Sequence, residues 1–299
     1  MSYDAAAHAS MAWLFVPGDR PDRFSKAVMS GADEVICDLE DSVAEHAKSA
    51  ARQHVVEWLS RDGQAWVRVN ACTMPSYALD VEALVGLPGL RGVMVPKAEH
   101  PAALTALRRR LGPGIGIVAL LETAVGVLHA AAIGRCGGVD RLAFGSIDFA
   151  ADIDAAHDDD ALLTARMTLV LASRAAAKPA PIDGITAELD QAEIVEHEAA
   201  RARRLGFGGK LCIHPAQVPA VRRAFQPSAE EVAAAQAILD MAAAPDGDGA
   251  RRHDGQMIDK ASIGRARRIL ASAAAVDGLA LRRGDSRWQR SNSGQGDQI

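Results

Sequence analysis

Short apolar segments recur along the chain, and each is followed by a stretch that can form a helix. The segments are WLFV (13–16), EVICDL (34–39), WVRVN (66–70), GVMVP (92–96), IGIVALL (115–121), RLAFG (141–145), PIDGIT (181–186) and KLCIH (210–214). Continuous apolar strands that alternate with helices are typical of a parallel sheet covered on both faces. Eight such units predict an α/β fold, the (β/α)8 TIM barrel; an open doubly wound sheet is the alternative.

Two Ser-x-x-Glu patterns mark predicted helix starts, because the serine and the glutamate of such a box cap each other's backbone. Ser42 and Glu45 open a predicted helix that ends near residue 59. The second box opens a predicted helix over residues 228–243, beyond the eighth strand. One more helix is predicted over residues 261–275.

The C-terminal part of the chain differs in composition from the barrel segment. APDGDGARRHDG (244–255) is rich in turn-forming residues and is predicted to be a flexible connection. We therefore expect a barrel domain over residues 1–225, additional C-terminal helices over 226–283 and a disordered tail over 284–299.

Composition excludes several classes of protein. Of the 299 residues, 49% are hydrophobic and 24% charged, as in a soluble globular protein. A formal net charge of -5 and only 4% aromatic residues predict no nucleic-acid partner. The absence of a long apolar run or a secretory signal predicts a cytoplasmic protein without a membrane partner. Cysteines without CxxC spacing are expected to be reduced core thiols: Cys37, Cys72, Cys136 and Cys212.

Two glycine clusters do not fit nucleotide-binding motifs. GPGIGI (112–117) precedes a predicted strand, whereas a dinucleotide fingerprint follows a strand and opens a helix. GFGGKL (206–211) has Leu211 where a P-loop requires Ser or Thr. No zinc-type spacing of Cys and His and no G-x-S-x-G elbow occurs in the sequence.

Polar side chains follow most of the predicted strands. Since the carboxyl ends of barrel strands share one face with the βα loops, these side chains are candidates for a common site. They are Arg20 after strand one, Asp38, Glu40 and Asp41 after strand two, Arg68 and Asn70 at strand three, Lys97, Glu122, Asp148, and His214 after strand eight.

Glu122 and Asp148 form the sharpest pair among these residues. Each follows an apolar strand, and consecutive barrel strands lie about 4.8 Å apart. Two carboxylates held so close repel each other unless they share a proton or a cation. Oxygen ligands alone predict Mg²⁺, with Mn²⁺ as a substitute. The alternative is that one of the two acids only caps the following helix.

Eight motifs in one order resemble the citrate lyase beta-subunit-like family of CoA-ester lyases, within the malyl-CoA lyase and HpcH/HpaI aldolase superfamily. The resemblance covers residues 13 to about 272. The motifs are LFVPGDRPDRFSKA, EVICDLEDSVAEHAKSAAR, VRVN, GVMVPKAE, LLETAVGV, LAFGSIDFAADI, GKLCIHPAQV and DGQMIDKA.

This resemblance implies reversible, Mg²⁺-dependent cleavage of a 3-hydroxyacyl-CoA into acetyl-CoA and a 2-oxo acid. It implies that Glu122 and Asp148 bind the metal and that Arg68 holds the oxo-acid carboxylate and faces the enolate. Asp259 of the MID motif matches the residue that handles the methyl proton, reaching a neighbouring subunit in relatives. Arg20 and Lys97 match positions for CoA or substrate contact.

The resemblance leaves several alternatives open. Relatives commonly have proline after MIDK, where Ala261 stands here, so the segment around Asp259 is expected to be looser. A homotrimer or hexamer is expected, because Asp259 needs a neighbouring barrel. The alternative functions are a citrate lyase subunit whose acyl group is carried on a separate protein, a malyl-CoA-type thioesterase, and an inactive binding protein. Lys97 also stands where a Schiff-base lysine could lie.

Overall fold

Eight parallel strands close into a barrel in the computed structural model of the chain, which describes residues 10–189, 191–243, 251–253 and 256–274. The strands are β1 (Ala12–Pro17), β2 (Glu34–Asp38), β3 (Ala65–Arg68), β4 (Leu90–Val95), β5 (Gly116–Leu121), β6 (Arg141–Phe144), β7 (Ile182–Asp183) and β8 (Gly209–Cys212). Each strand pairs with the next, and β1 also pairs with β8. The predicted (β/α)8 barrel is confirmed, and the doubly wound alternative is wrong because that sheet would be open.

Helices follow the strands along the chain. They are α1 (Phe24–Met29), α2 (Lys48–Leu59), α3 (Pro75–Leu84), α4 (Pro101–Leu111), α5 (Ala124–Leu128), α6 (Ala130–Arg135), α7 (Ser146–Asp152), α8 (Asp159–Ala175), α9 (Ala192–Leu205) and α10 (Gln217–Phe225). Two 3-10 turns, Pro21–Arg23 and Glu45–Ala47, precede α1 and α2.

The capping box predicted at Ser42 is wrong. The helix after β2 begins only at Lys48, after the 3-10 turn, and Ser42 lies in the loop before both. The backbone N–H of Ser42 donates to Asp38 Oδ2 at 3.1 Å. A carboxylate at the strand end therefore organises this loop in place of a serine cap.

A second compact unit contains the described residues from Gln226 onward. It contains α11 (Ala229–Ala242), the antiparallel strands β9 (Arg251–His253) and β10 (Gln256–Ile258), and a helix over 260–274, named α12 here. The capping box of α11 is present, because Ser228 Oγ accepts from the Glu231 N–H at 3.1 Å and the Glu231 side chain accepts from the Ser228 N–H. Of the predicted flexible connection over 244–255, the structure describes the three residues of β9, and the rest lies outside the described residues. The predicted tail lies outside the described residues.

The interior of the barrel is filled by apolar side chains from seven of its strands. They are Trp13, Ile36, Met94, Val118, Leu120, Ala143, Ile182 and Leu211, with Phe15, Trp66 and Ile185 packed against them. Trp66 of β3 lies over a glycine of β4 and a glycine of β5: a Cβ on Gly92 or Gly116 would lie 2.2 Å or 2.4 Å from its ring. One indole thus takes the room of two missing side chains.

Buried charges stabilise the barrel where its strand pairing is shortest. β7 has two residues and meets β6 at a single register pair, Ala143 opposite Ile182. Asp183 accepts a hydrogen bond from Arg166 Nε at 3.0 Å, and Lys210 Nζ donates to the Gly184 carbonyl at 2.7 Å. These contacts join α8, β7 and β8, so charged groups supplement the missing ladder bonds.

The cysteines differ in exposure, and the prediction of core thiols is wrong for one of them. Cys37 and Cys212 are buried, and burial raises the pKa of the Cys212 thiol to about 12. Cys136 is partly buried, whereas Cys72 is exposed because it lies in the loop after β3. In the described part of the chain, no helix has the length and apolar character needed to cross a membrane.

A single glycine substitution tests the backbone geometry at the end of α8. Ala177 has φ 54, in the left-handed region that penalises a Cβ. We expect Ala177→Gly to raise the free energy of unfolding by about 1 kcal/mol, measured by urea denaturation. The control is Ala175→Gly, two residues earlier inside the helix, which is expected to lower it by about 0.5–1 kcal/mol. Equal effects of both changes would contradict this geometry.

Candidate metal and substrate site

Arg68 and Asp38 pair across the carboxyl ends of β2 and β3. The two residues are register partners in the ladder, so their side chains meet directly. Arg68 donates from Nε and Nη2 to the two carboxylate oxygens of Asp38 at 2.7 Å and 2.6 Å. Its guanidinium also lies 4.7 Å above the ring of Phe15. A bidentate contact and a stacked ring fix the plane of this cation.

The opposite charges of Arg68 and Asp38 stabilise each other although both side chains are largely buried. Burial by itself lowers the pKa of Arg68, but the Asp38 carboxylate outweighs it and the pKa is raised. Burial likewise raises the pKa of Asp38, and the guanidinium of Arg68 brings that pKa below its usual value. Both side chains are therefore ionised.

A buried lysine fixes the loop that carries Glu40. Lys48 Nζ donates to the carbonyls of Leu39 and Glu40, both at 3.0 Å, and to Asn70 Oδ1 at 2.6 Å. Asn70 Nδ2 in turn donates to Asp80 Oδ2 at 2.6 Å. Helices α2 and α3 thereby hold the ends of β2 and β3. The sequence analysis missed Lys48 and Asp80, because no local pattern shows what a helix residue contacts across the fold.

Glu122 follows β5 directly and is almost fully buried, with 2% of its side chain exposed. Its Oε1 accepts the backbone N–H of Lys97 at 2.8 Å. Helix α5 is capped by Thr123, whose side chain accepts from Gly126, so the capping alternative is wrong for Glu122. Burial first, and then the neighbouring charges of Glu40 and Asp148, raise the pKa of Glu122 to about 8.

The ammonium of Lys97 lies within 4 Å of three carboxylates that follow different strands. Its Nζ lies 2.9 Å from Glu40 Oε1, 3.6 Å from Asp148 Oδ2 and 3.8 Å from Glu122 Oε1. Asp148 is in the first turn of α7, whose N-cap is Gly145, so it does not occupy the capping position either. The structure thus brings four predicted site residues together: Arg68, Lys97, Glu122 and Asp148. Glu40, a strand-end candidate to which the sequence analysis gave no specific role, joins them.

The donor set at this point fits a hard divalent cation. Glu122 and Asp148 offer carboxylate oxygens, the ligands that Mg²⁺ prefers. Across the described residues, no group of three or more His, Cys, Asp or Glu side chains is arranged to enclose a metal, so water and substrate would complete the coordination. Gly145 leaves room for the acid: a Cβ there would lie 2.2 Å from Glu122 Oε2.

The environment of Lys97 argues against a Schiff-base role. Burial lowers the pKa of its ammonium, but the hydrogen bond to Glu40 and the charges of the surrounding acids raise the pKa by more than burial lowers it. The pKa of Lys97 is therefore above its usual value. An amine must lose its proton before it can attack a carbonyl. Lys97 therefore acts as a cation among carboxylates.

Three further candidates, Arg20, His214 and Asp259, make local contacts of their own. Arg20 is exposed and pairs with Asp22 at 3.0 Å. His214 is exposed, and its Nδ1 accepts from the Ala216 N–H at 3.2 Å. Asp259 belongs to the second unit, where its Oδ1 accepts the N–H groups of Ala261 and Ser262 and so caps α12. These hydrogen bonds lower the pKa of Asp259.

Comparison with known proteins identifies the family. The model of the HpcH/HpaI aldolase/citrate lyase family matches residues 11–215. The chain belongs to this family. It is 37% identical over 270 residues to a citrate lyase subunit beta-like protein of Mycobacterium tuberculosis, covering 88% of this chain and 95% of that one. It is 31% identical over 294 residues to an L-malyl-CoA/beta-methylmalyl-CoA lyase of Cereibacter sphaeroides, covering 86% and 92%.

A solved structure of an HpcH/HpaI relative is also similar. The crystal structure of CitE from Mycobacterium tuberculosis, in complex with magnesium, acetoacetate and coenzyme A, superimposes with a TM-score of 0.77 at 35% identity. The match covers 89% of this chain and 98% of the CitE chain. The predicted resemblance is confirmed, and the family's barrel is the fold found here.

Adding a methyl group at Gly145 tests the packing around Glu122 without changing any charge. We expect Gly145→Ala to displace the Glu122 carboxylate and to weaken Mg²⁺ binding at least about tenfold, with an overpacking cost of about 1–3 kcal/mol. Calorimetric titration with Mg²⁺ measures the first effect and thermal unfolding the second. Gly137→Ala is the matched control, since nothing lies within 4 Å of a Cβ at Gly137. Unchanged Mg²⁺ binding in Gly145→Ala would contradict this packing.

The raised pKa of Glu122 predicts how metal binding depends on pH. Below about pH 8 the carboxyl is protonated in the metal-free protein, so the metal must displace a proton. Metal affinity should rise up to about tenfold per pH unit toward this value and level off above it. Calorimetry in buffers of different ionisation enthalpy counts the released proton. An affinity that does not change over this range would be inconsistent with a buried, protonated Glu122.

Proposed function

We propose that this HpcH/HpaI family member is a Mg²⁺-dependent carbon–carbon lyase. It would cleave a 3-hydroxyacyl-CoA, such as malyl-CoA or citramalyl-CoA, reversibly into acetyl-CoA and a 2-oxo acid. The observation that carries the proposal is the convergence of Glu122 and Asp148 on one cation beside Arg68. The magnesium, acetoacetate and coenzyme A in the CitE complex support it.

Glu122 and Asp148 would hold the Mg²⁺, with Mn²⁺ as a substitute. When bound, the ion would act as a Lewis acid that polarises the carbonyl forming on the oxo-acid product. Glu122 is fixed for this task by the Lys97 N–H, and Asp148 is the more exposed partner. One rigid and one accessible ligand leave room for substrate oxygens.

Arg68 would stabilise the negative charge that develops on the thioester enolate. Asp38 occupies its Nε and Nη2, and Nη1 lies 3.1 Å from Glu40 and 3.7 Å from the exposed Asp41. The guanidinium cannot rotate without losing the bidentate contact. A donor fixed before the reaction stabilises developing charge at little reorganisation cost.

The roles of Asp259, Arg20 and Lys97 follow from the resemblance. Asp259 would exchange the proton on the acetyl methyl carbon, and its carboxylate is exposed. We expect it to act in a neighbouring copy of the chain, within a homotrimer or hexamer. Arg20 and Lys97 would contact CoA or substrate, and exposure of Arg20 is compatible with that role.

An assay with purified protein and Mg²⁺ tests the proposal. Malyl-CoA, citramalyl-CoA and citryl-CoA are offered separately, and released acetyl-CoA is measured. We expect turnover of at least one substrate, complete loss with EDTA and restoration by Mg²⁺. Free CoA without acetyl-CoA would indicate the thioesterase alternative. Failure to cleave any of the three would disprove the proposed function, and cleavage of citryl-CoA alone would favour a citrate lyase subunit.

Substitution of Arg68 by Lys tests the role of the fixed guanidinium. Lysine keeps the charge but loses the two-pronged contact with Asp38, so we expect kcat to fall about 10²- to 10³-fold. The matched control is Arg91→Lys, which changes an exposed arginine paired with Glu34 near the amino ends of the strands. That variant should keep its turnover. Equal kcat values for both variants would remove Arg68 from the mechanism.

A further inference from the structure

Three carboxylates at the barrel mouth share the ammonium of Lys97. The Nζ lies 2.9 Å from Glu40, 3.6 Å from Asp148 and 3.8 Å from Glu122. Among the residues that the structure describes, Lys97 is the one cation that pairs with Glu122 or with Asp148. The nearest guanidinium, that of Arg68, is bound at two of its nitrogens by Asp38. When both predicted metal ligands are ionised, Lys97 is therefore the described side chain that neutralises them.

The backbone of Lys97 is also unusual. Its φ is 46, a left-handed conformation that a glycine adopts without steric cost. In this conformation the backbone N–H donates to Glu122 Oε1 at 2.8 Å while the side chain reaches the same acid and its neighbours. Because glycine would fit this backbone at lower cost, a lysine here indicates that the ammonium group itself is needed.

We propose that Lys97 is an internal counter-ion that occupies the metal ligands Glu122 and Asp148 in the metal-free protein and is displaced from them by the divalent cation. The proposal rests on the proposed function, from which it takes the two ligands. Positive charges that share the same two carboxylates repel each other, so the ammonium and the metal compete.

The surroundings of Lys97 allow this exchange. Its side chain is 40% exposed, whereas Glu122 is buried, so the flexible lysine is the partner that can move. Glu40 gives it a second contact, which the proposed metal does not need. The loop of Glu40 is itself fixed by Lys48, so the ammonium keeps one anchored acid when it leaves the other two. Lys97 thus stabilises the empty site and lowers its apparent affinity for metal.

Substitution of Lys97 tests the competition by metal binding and stability, without an activity assay. In Lys97→Met, which removes the charge and keeps a long side chain, we expect Mg²⁺ and Mn²⁺ to bind at least about tenfold more tightly. The calorimetric titration is done above about pH 8, where Glu122 is ionised and loss of the ammonium is not offset by protonation of the acid. The metal-free variant should melt at a lower temperature than the wild type, and saturating Mg²⁺ should reduce the difference. Lys97→Arg, which keeps the charge, should bind metal within about threefold of the wild type.

The result that overturns the proposal is a Lys97→Met protein whose metal affinity is equal to or weaker than that of the wild type. An unchanged melting temperature without metal would overturn it as well. Should the methionine variant fail to fold, Lys97→Gly relieves the backbone strain at the same position and must show the same gain in affinity.

A measurement on the wild-type protein gives a second, independent test. Reductive methylation with peptide mass spectrometry reports how accessible each lysine amine is. Labelling of Lys97 should be slow in the metal-free protein and at least about threefold faster with saturating Mg²⁺, because the amine leaves two of its carboxylates. Lys26, exposed on α1, is the internal control and should not change. Equal labelling of Lys97 in both states contradicts displacement.

These outcomes separate the two proposals. If the wild-type protein binds neither Mg²⁺ nor Mn²⁺, the metal site on which the proposed function depends is contradicted. The competition between Lys97 and the metal is then contradicted too. Metal binding by the wild type with no gain in Lys97→Met contradicts the counter-ion role alone, and the lyase proposal stands on its own assay.

Discussion

Compensation of buried charge is the constraint on which the carboxyl end of this barrel depends. Asp38 and Glu122 are nearly inaccessible to water, and an unpaired carboxylate in such a place costs several kcal/mol. Arg68 stabilises the first through two hydrogen bonds, and Lys97 contacts the second through its backbone and its ammonium. Because both cations come from neighbouring strand ends, the charge balance of the site requires β2 to β5 to pair in this order and register.

The eight strands could be predicted from the sequence because a strand covered on both faces is apolar at consecutive positions. The acids at the ends of β5 and β6 could be found for a related reason. A carboxylate directly after a buried apolar strand is costly unless it binds a proton or a cation, so it marks a candidate site. Arg68 and Lys97 were also recognised as polar strand ends. Their roles came from the resemblance, and which acids each one contacts came only from the structure.

The incorrect predictions have physical causes beyond local sequence. At Ser42 a helical pattern continued upstream of the true helix start, and Asp38 bonds to the loop where a capping serine was predicted. Cys72 is apolar in composition scales but follows β3 on an exposed loop. Gly145 carries no chemistry of its own, and its importance is visible only through the oxygen of Glu122 that lies where a side chain would be.

Trp66 shows that residues on three strands of the barrel interior depend on one another. Its ring occupies the room that side chains at Gly92 and Gly116 would need, so three strands share one volume. A smaller residue at position 66 would leave a void, and a larger residue at either glycine would clash. The three positions therefore form one unit of sequence variation, in which a change at one is tolerated only with a compensating change at another. Efforts to redesign the barrel interior must exchange them together.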